Sequence, residues 1–319
     1  MPITFEQVTY GYDGPDAGTR ALDGVSLTIA DGEFVGVIGH TGSGKSTLAE
    51  LACAARLPDA GRVVVDGTPT ADRRGRREAR RRVGYVMQYP ERQLFAETVG
   101  EDVAFGPRNL GASRDEALAA AREALELVGL SPDDLMDASP FDLSGGQRRR
   151  VALAGVLAMR PRAIVADEPT AGLDPQARQG VLDILRDLHG RGVTVVMVSH
   201  DMDHVAALAQ HVVALAHGRV IADGTPAEVF SRAEELRRAG LDVPTAARVA
   251  RDLAARGYAF ADGVPLTLDE LARAVAAQAG PSAPGASAAS PESGHESESE
   301  AASELEPEPG SGLGSGGGR

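Results

Sequence analysis

Gly39-His40-Thr41-Gly42-Ser43-Gly44-Lys45-Ser46-Thr47 is the stretch whose reading decides the fold. An apolar run, Phe34-Val35-Gly36-Val37-Ile38, precedes it and a helix-compatible run, Leu48-Ala49-Glu50-Leu51-Ala52-Cys53, follows it. The G-x-x-x-x-G-K-[ST] spacing therefore sits in a strand-loop-helix context, which a lone glycine-rich match lacks. Glycines let the backbone wrap closely around a phosphate, and amide N–H groups at the helix N-terminus point at it. Lys45 brings a mobile ammonium to the outer phosphates, and the Ser46 hydroxyl can ligate Mg²⁺. The stretch reads as a nucleoside triphosphate site.

Composition adds a separate argument. The chain has 32 basic residues, and Lys45 is the only lysine among them. A sequence that otherwise uses arginine for every positive charge keeps a compact, flexible ammonium where a point charge must enter a tight loop, a place where a planar guanidinium is no substitute.

At 319 residues and 43% hydrophobic content, the chain is long enough for about two domains with a real core. Its single cysteine, Cys53, excludes an intrachain disulfide and reads as a small core residue of an apolar helix. The N-terminus has no basic and apolar leader pattern, and no run approaches the ~18 apolar residues of a membrane span. The expectation is a cytosolic chain whose membrane role, if any, runs through a partner. Net charge is −14, and residues 281–319 carry seven glutamates against one arginine, so six of those fourteen charges sit in a Pro, Gly, Ser, Ala and Glu tail. The tail has almost nothing to bury and is expected to be disordered. No general basic field for nucleic acid exists.

Along the chain, residues 2–10 and 21–29 read as strands that pair around a turn-rich insert, Gly11 to Arg20, in which Tyr12 could stack on a purine or simply end a strand. Arg62 to Gly67 reads as another strand. The run Arg73 to Arg82 is short and has no interleaved aromatics, so it reads as a solvated helical face. Strand Val83 to Met87 ends at Gln88. Residues from about 90 to 160 are mostly helical and interrupt an α/β alternation. Within them Ser113 and Glu116 form a capping box for a helix with Ala117, Leu118, Ala121, Leu125 and Val128 on one side. The alternation resumes with strand 163–166, helix 175–189, strand 193–198 and short strands near 212–215 and 219–222. Boxes at Thr225-Glu228 and Thr267-Glu270 start the C-terminal helices.

Strand 163–166 delivers Asp167 and Glu168 to the end of a buried parallel strand, where Asp167 suits Mg²⁺ through water and Glu168 suits polarising an attacking water. Strand 193–198 delivers His200 to the same sheet edge, where such folds bind ligands. Leu143-Ser144-Gly145-Gly146-Gln147 before helix 148–159 is a second anion-binding helix end. Two phosphate-binding helix ends so far apart suggest that one serves another molecule's nucleotide.

With these motifs in hand, residues 2–230 resemble an ATP-binding cassette ATPase: Gly39 to Thr47 as the P-loop, Gln88 as the Q-loop, Leu143 to Gln147 as the signature, Asp167 and Glu168, Ala171-Gly172-Leu173-Asp174 as the D-loop, and His200 as the switch histidine. The segment Gln88-Tyr89-Pro90-Glu91-Arg92-Gln93-Leu94-Phe95, then Thr98-Val99 and Asp102 to Pro107, is similar to ATPase subunits of energy-coupling factor transporters, importers of vitamins and metal ions. His40, Ser139-Pro140-Phe141-Asp142 and Gly240-Leu241-Asp242-Val243-Pro244 resemble the second of two paralogous ATPases in that group. Met87 and Ala166 depart from the usual Phe and Leu without touching an ionisable role.

The resemblance implies an α/β P-loop NTPase core over 1–230 with an antiparallel β subdomain and a helical subdomain, a helical extension over 231–280 and the tail beyond. It implies ATP and Mg²⁺ as ligands, head-to-tail pairing with a second ATPase subunit, and membrane partners for energy coupling and substrate binding, all at the cytoplasmic face of the membrane. Tyr12 would stack on adenine. Gly39, His40, Thr41, Gly42, Ser43, Gly44, Lys45, Ser46 and Thr47 would cradle the nucleotide; Ser46, Gln88 and Asp167 would serve Mg²⁺; Glu168 would be the base and His200 the γ-phosphate contact. Ser144, Gly146 and Gln147 would reach the partner's ATP. Leu94, Phe95 and Val99 suit either a groove for a membrane subunit or core packing. A homodimeric ATPase of another transporter remains the nearest alternative.

Overall fold

The structure is a computed structural model and describes residues 1–12, 20–260 and 263–279. Most of the insert between the first two strands, and the acidic tail, lie outside the described residues. The chain opens with the antiparallel pair β1 (Ile3–Tyr10) and β2 (Leu22–Ile29). Ile3, Phe5 and Val8 all face the core because a register shift between Phe5 and Val8, where Gln7 takes φ +50°, inserts the extra residue that returns Val8 to the buried side. Next come β3 (Phe34–Gly39), α1 (Lys45–Ala52), β4 (Ala60–Val65), β5 (Thr68–Pro69), α2 (Arg73–Arg82) and β6 (Val83–Val86). In α2 only Gly75 and Ala79 are buried, and Asp72 caps its start, so the arginine run is the solvated helical face its sequence suggests.

Four α-helices follow before the next strand, α3 (Val99–Asn109), α4 (Arg114–Leu127), α5 (Pro132–Leu135) and α6 (Gly145–Leu157), with short 3-10 turns at Pro90–Gln93 and Pro140–Asp142. The capping box of Ser113 and Glu116 opens α4, and Ala117, Ala121, Ala124, Leu125 and Val128 are buried while Leu118 is half-buried at the margin. α6 starts three residues before the expected position. Ser144 accepts the Gln147 N–H and Gln147 accepts the Ser144 N–H, which draws Gly145 and Gly146 into the first turn. The remaining elements are β7 (Ala163–Asp167), α7 (Pro175–Gly190), β8 (Thr194–Val198), α8 (Met202–Leu208), β9 (His211–Ala216), β10 (Arg219–Gly224), α9 (Pro226–Ser231), α10 (Ala233–Arg238), α11 (Thr245–Ala254) and α12 (Leu268–Ala279).

The strands form two sheets, β2-β1-β4-β5 and β10-β9-β3-β8-β7-β6. The second is parallel except for the edge strand β10, and β3, β7 and β8 are buried along their whole length, as a sheet covered on both faces requires. Its alternating side chains feed two cores. Ile38, Ile164, Ala166 and Met197 pack with the helices between β6 and β7, while Val37, Val165, Val198 and Leu215 pack with α1 and the antiparallel sheet. β6 and β7 are direct parallel neighbours, so the helical block is an enlarged crossover between adjacent strands. Val37, Val198 and Asp167 lie in one row across β3, β8 and β7. That row brings the ends of three strands, and the loops leaving them, to one edge.

Cys53 is buried at the end of α1, and burial pushes its thiol up to about 11. At pH 8 this leaves about a hundredfold less thiolate than an unperturbed cysteine has. Thiol-reactive dye is expected to label the folded chain at least that much more slowly than the denatured chain, and equal rates would place Cys53 outside the core.

Candidate functional site

The loop leaving β3 is built on two left-handed glycines, Gly42 at φ +80° and Gly44 at φ +105°. A Cβ on Gly44 would sit 2.3 Å from the Ala21 carbonyl oxygen, so the loop closes against β2 only with glycine there. The turn after β9 braces it from outside, with the Gly218 N–H donating to the Ser43 carbonyl at 3.1 Å. Inside the loop the Lys45 ammonium donates to the Gly39 and His40 carbonyls at 2.7 and 2.9 Å. Burial lowers the Lys45 pKa, while the Glu168 and Asp167 carboxylates pull it back up. Ser43 Oγ and His40 Nε2 are buried without a hydrogen-bond partner among the described residues. Backbone amides, an ammonium and unpartnered polar atoms around a cradle that excludes a Cβ fit a phosphate chain.

Tyr12 stands beside this loop. Its hydroxyl bonds the Thr47 hydroxyl at 3.0 Å, its ring meets Tyr10 edge-on at 5.3 Å, and the Arg56 guanidinium lies 4.8 Å from its centroid. The ring is still 56% exposed.

Asp167, the last residue of β7, is buried, and burial raises its pKa against the opposing effects of the Ser46 hydroxyl and Lys45. The Tyr85 hydroxyl also bonds Asp167, and burial pushes that phenol up. Glu168 takes a left-handed backbone at φ +48°, with its N–H donating to the Val198 carbonyl at 2.9 Å. Its Oε2 accepts from His200 Nδ1 at 2.7 Å, and His200 is otherwise 74% exposed. A cavity of about 450 Å³ joins Gly39, His40, Thr41 and Lys45 to Gln88, Glu168 and His200. The hydroxyl of Ser46 and the carboxylate of Asp167, with the Gln88 amide on the cavity wall, make a hard oxygen set suited to Mg²⁺.

Ser144, Gly145 and Gly146 are not in that cavity. With Gly172, Leu173 and Asp174 they line a separate one of about 800 Å³. Gln147 is engaged in capping its own helix, its Oε1 accepting the Ser144 N–H at 3.0 Å. The two cavities share no lining residue among those described. Leu94 and Val99 are core residues, whereas Phe95 is 60% exposed and meets the exposed Phe105 edge-on at 4.9 Å, so core packing accounts for the first two and not for Phe95.

Some contributors escaped the sequence reading. Arg149 is 3% exposed; it donates to the Ala171 carbonyl at 2.6 Å and to Glu91 at 3.3 Å, linking α6 to the segments after Gln88 and Glu168. Helical spacing to the buried Leu153 and Leu157 was the available signal for it. Tyr85 was legible only as a strand residue, and Gly240, Leu241 and Asp242, which the sequence marked only through a family resemblance, also line the first cavity.

The fold and the phosphate-type loop between β3 and α1 define a P-loop nucleotide-hydrolysing cassette. The ABC transporter family model matches residues 22–171. The chain is 52% identical over 277 residues to the energy-coupling factor transporter ATP-binding protein EcfA2 of Symbiobacterium thermophilum, covering 86% of this chain and 96% of that protein. The protein of the same name from Lactiplantibacillus plantarum is 46% identical over 297 residues, covering 92% and 100%. Among solved structures, cbiO1 from Clostridium perfringens, part of the ABC transporter complex cbiONQ, superposes with a TM-score of 0.65 at 35% identity, covering 79% of this chain and 98% of that one. The dimeric cassette MJ0796, in a post-hydrolysis state bound to ADP and Pi, gives 0.63 at 31% identity, covering 70% and 98%. The chain belongs to the ABC transporter ATPase family, among the energy-coupling factor transporter ATP-binding proteins.

The Asp167 shift sets a trade-off. Its folded pKa lies above the unfolded one, so the ionised carboxylate opposes folding at neutral pH; that penalty fades as pH falls through the raised folded value and is gone below the ordinary carboxylate range. Asp167→Asn is expected to raise the melting temperature of the nucleotide-free chain. The same variant should bind Mg·ATP about tenfold or more weakly, the scale of ~1.4 kcal/mol. Calorimetry with and without Mg·ATP checks both. Gly44→Ala, by contrast, should lose about 2 kcal/mol or more of stability through left-handed strain and the clash with Ala21, read by chemical denaturation.

Proposed function

We propose that this chain is the ATP-hydrolysing subunit of an energy-coupling factor importer, powering uptake of a vitamin or metal ion through membrane partners. The observation that carries it is the separation of the Lys45, Glu168 and His200 cavity from the Ser144 to Gly146 cavity, which leaves each nucleotide to be enclosed by two cassettes. A second, paralogous ATPase subunit supplies the facing half-site, and the pair sits at the cytoplasmic face against an energy-coupling membrane subunit, with a further membrane subunit binding the cargo. Phe95 and Phe105 offer an exposed aromatic pair to that membrane side.

In the mechanism, Tyr12 stacks on adenine and the amides from Gly39 to Thr47 surround the phosphates. Lys45 gives up its two carbonyl partners for the outer phosphate oxygens. Ser46, Gln88 and Asp167 would hold Mg²⁺, which would supply charge neutralisation at the phosphates. Glu168 takes a proton from the attacking water as the water oxygen bonds the γ-phosphorus and the bond to the β–γ bridging oxygen breaks, giving ADP and phosphate. His200 leaves Glu168 to contact the γ-phosphate. Ser144 and Gly146 reach the partner's ATP, with Gln147 holding their turn. Closure of the pair excludes water and completes the set, and hydrolysis releases it.

Glu168→Gln should retain ATP and accumulate the closed pair; turnover at the parent rate would remove Glu168 as the base. Lys45→Arg keeps the charge and should still lose most ATPase activity of the assembled transporter, at least about a hundredfold if the loop rejects a planar fork. Activity of the chain purified alone, measured against the full assembly, separates a homodimer from a paralogous pair.

A further inference from the structure

The segment Gly240-Leu241-Asp242-Val243-Pro244 has no role in the mechanism above. Nevertheless Gly240, Leu241 and Asp242 line the same cavity as Lys45, Glu168 and His200. The chain reaches it by a left-handed turn at Gly240 (φ +73°) after α10, anchored by the buried Leu241 and Val243. The Asp242 carboxylate is turned to its own neighbourhood, accepting the Val243 N–H at 2.8 Å and pairing with Arg248 at 3.2 Å.

Helix α11 then begins behind Pro244, which occupies the N-cap position and has no side-chain acceptor. The free N–H groups of a first helical turn need a partner, and here another helix supplies one. The Asp203 carboxylate, in the first turn of α8, accepts the Thr245 N–H at 2.6 Å and the Thr245 hydroxyl at 2.7 Å. A negative charge is well placed at a helix N-terminus. Asp203 belongs to the same turn as Asp201, whose carboxylate accepts the Asp203 and His204 N–H groups at 3.1 Å. His200 immediately precedes that turn. On its other side the Ser199 N–H is fixed to the Val37 carbonyl at 3.1 Å. Beyond its bond to Glu168, so exposed a side chain has little packing to hold it, and its place depends also on how its backbone is anchored.

We propose that the Asp203-Thr245 cap positions His200, and that Gly240 to Asp242 form the outer wall of the triphosphate site, so the C-terminal extension takes part in hydrolysis. This rests on the ATPase reading above. Thr245 acts as a positioning residue and touches no substrate.

The test uses the full chain assembled with its membrane partners. Thr245→Ala is expected to lower kcat roughly five- to tenfold, as loss of one charge-assisted hydrogen bond would, with KM for ATP within about twofold. Thr245→Ser, which keeps the hydroxyl, should restore the parent rate. In a His200→Ala background, Thr245→Ala should bring no further loss, because the residue it positions is gone. A Thr245→Ala rate equal to the parent, or the same fold-loss with and without His200, overturns the proposal. A second readout needs no turnover. In the nucleotide-free chain with ¹⁵N-labelled histidine, the His200 imidazole signal, assigned by its disappearance in His200→Ala, should move in Thr245→Ala and Asp203→Asn and return in Thr245→Ser. An unmoved signal sinks the positioning role. If the parent assembly hydrolyses no ATP, the functional reading fails by itself, and the imidazole signal still decides whether the cap places His200.

Discussion

A buried ammonium is the constraint from which the rest of the site follows. Withdrawing Lys45 from water is unfavourable unless its charge is met, and the chain meets it with two loop carbonyls and the nearby Asp167 and Glu168 carboxylates. Asp167 is buried in its turn, and the Ser46 hydroxyl and Lys45 offset part of that burial without cancelling it. The opposite charges ease one another's burial, which stays the larger effect on both. They meet because β3, β8 and β7 run parallel in a register that sets Val37, Val198 and Asp167 side by side. Slipping one strand by a single residue would turn Asp167 to the opposite face of the sheet and strand both charges. Electrostatics at the loop and apolar alternation along the strands therefore select the same arrangement.

The second cavity has a different physical character. Ser144 and Gln147 satisfy one another at the start of α6, so that helix end is capped by its own residues. It shares its cavity with Gly172 to Asp174, and Arg149 ties that neighbourhood inward through the Ala171 carbonyl and Glu91. Glu91 lies just past Gln88, which lines the first cavity. A buried guanidinium bound to both segments resists moving one without the other, since separating them would strand a charge with 3% exposure. The two cavities are distinct in space and joined through a side chain that behaves as part of the core.

What the sequence made legible was local. The phosphate loop, the capping boxes at Ser113, Thr225 and Thr267, and the acidic and histidine residues at strand ends are all written within a few residues, so their geometry follows from spacing. The missed features pair residues distant in the chain. Thr245 lies 42 positions from the carboxylate that caps it, and Pro244 gives no hint that a cap is needed from elsewhere. Arg149 sits in a run of three arginines whose composition suggests solvent, and only its helical phase with Leu153 and Leu157 betrays burial. Segment-level reading also failed to separate Phe95 from Leu94 and Val99, because burial there is settled by the α3 and α6 surfaces and not by local pattern.

Adjacent acidic residues at a strand end raise a geometric problem. Side chains alternate along a strand, so an extended Asp167-Glu168 pair would point to opposite faces and only one could serve a site at the sheet edge. The left-handed backbone at Glu168 removes the conflict, turning the second carboxylate into the cavity that Lys45 lines while Asp167 stays with Ser46 and Tyr85. That conformation costs about 1–2 kcal/mol for a residue other than glycine. The Glu168 N–H bond to Val198 and the His200 contact to its carboxylate offset it, one holding the backbone and the other the side chain. Glycine would adopt the turn without strain, yet it would bring no carboxylate. The strain at Glu168 thus accompanies the delivery of two carboxylates by one strand to one edge.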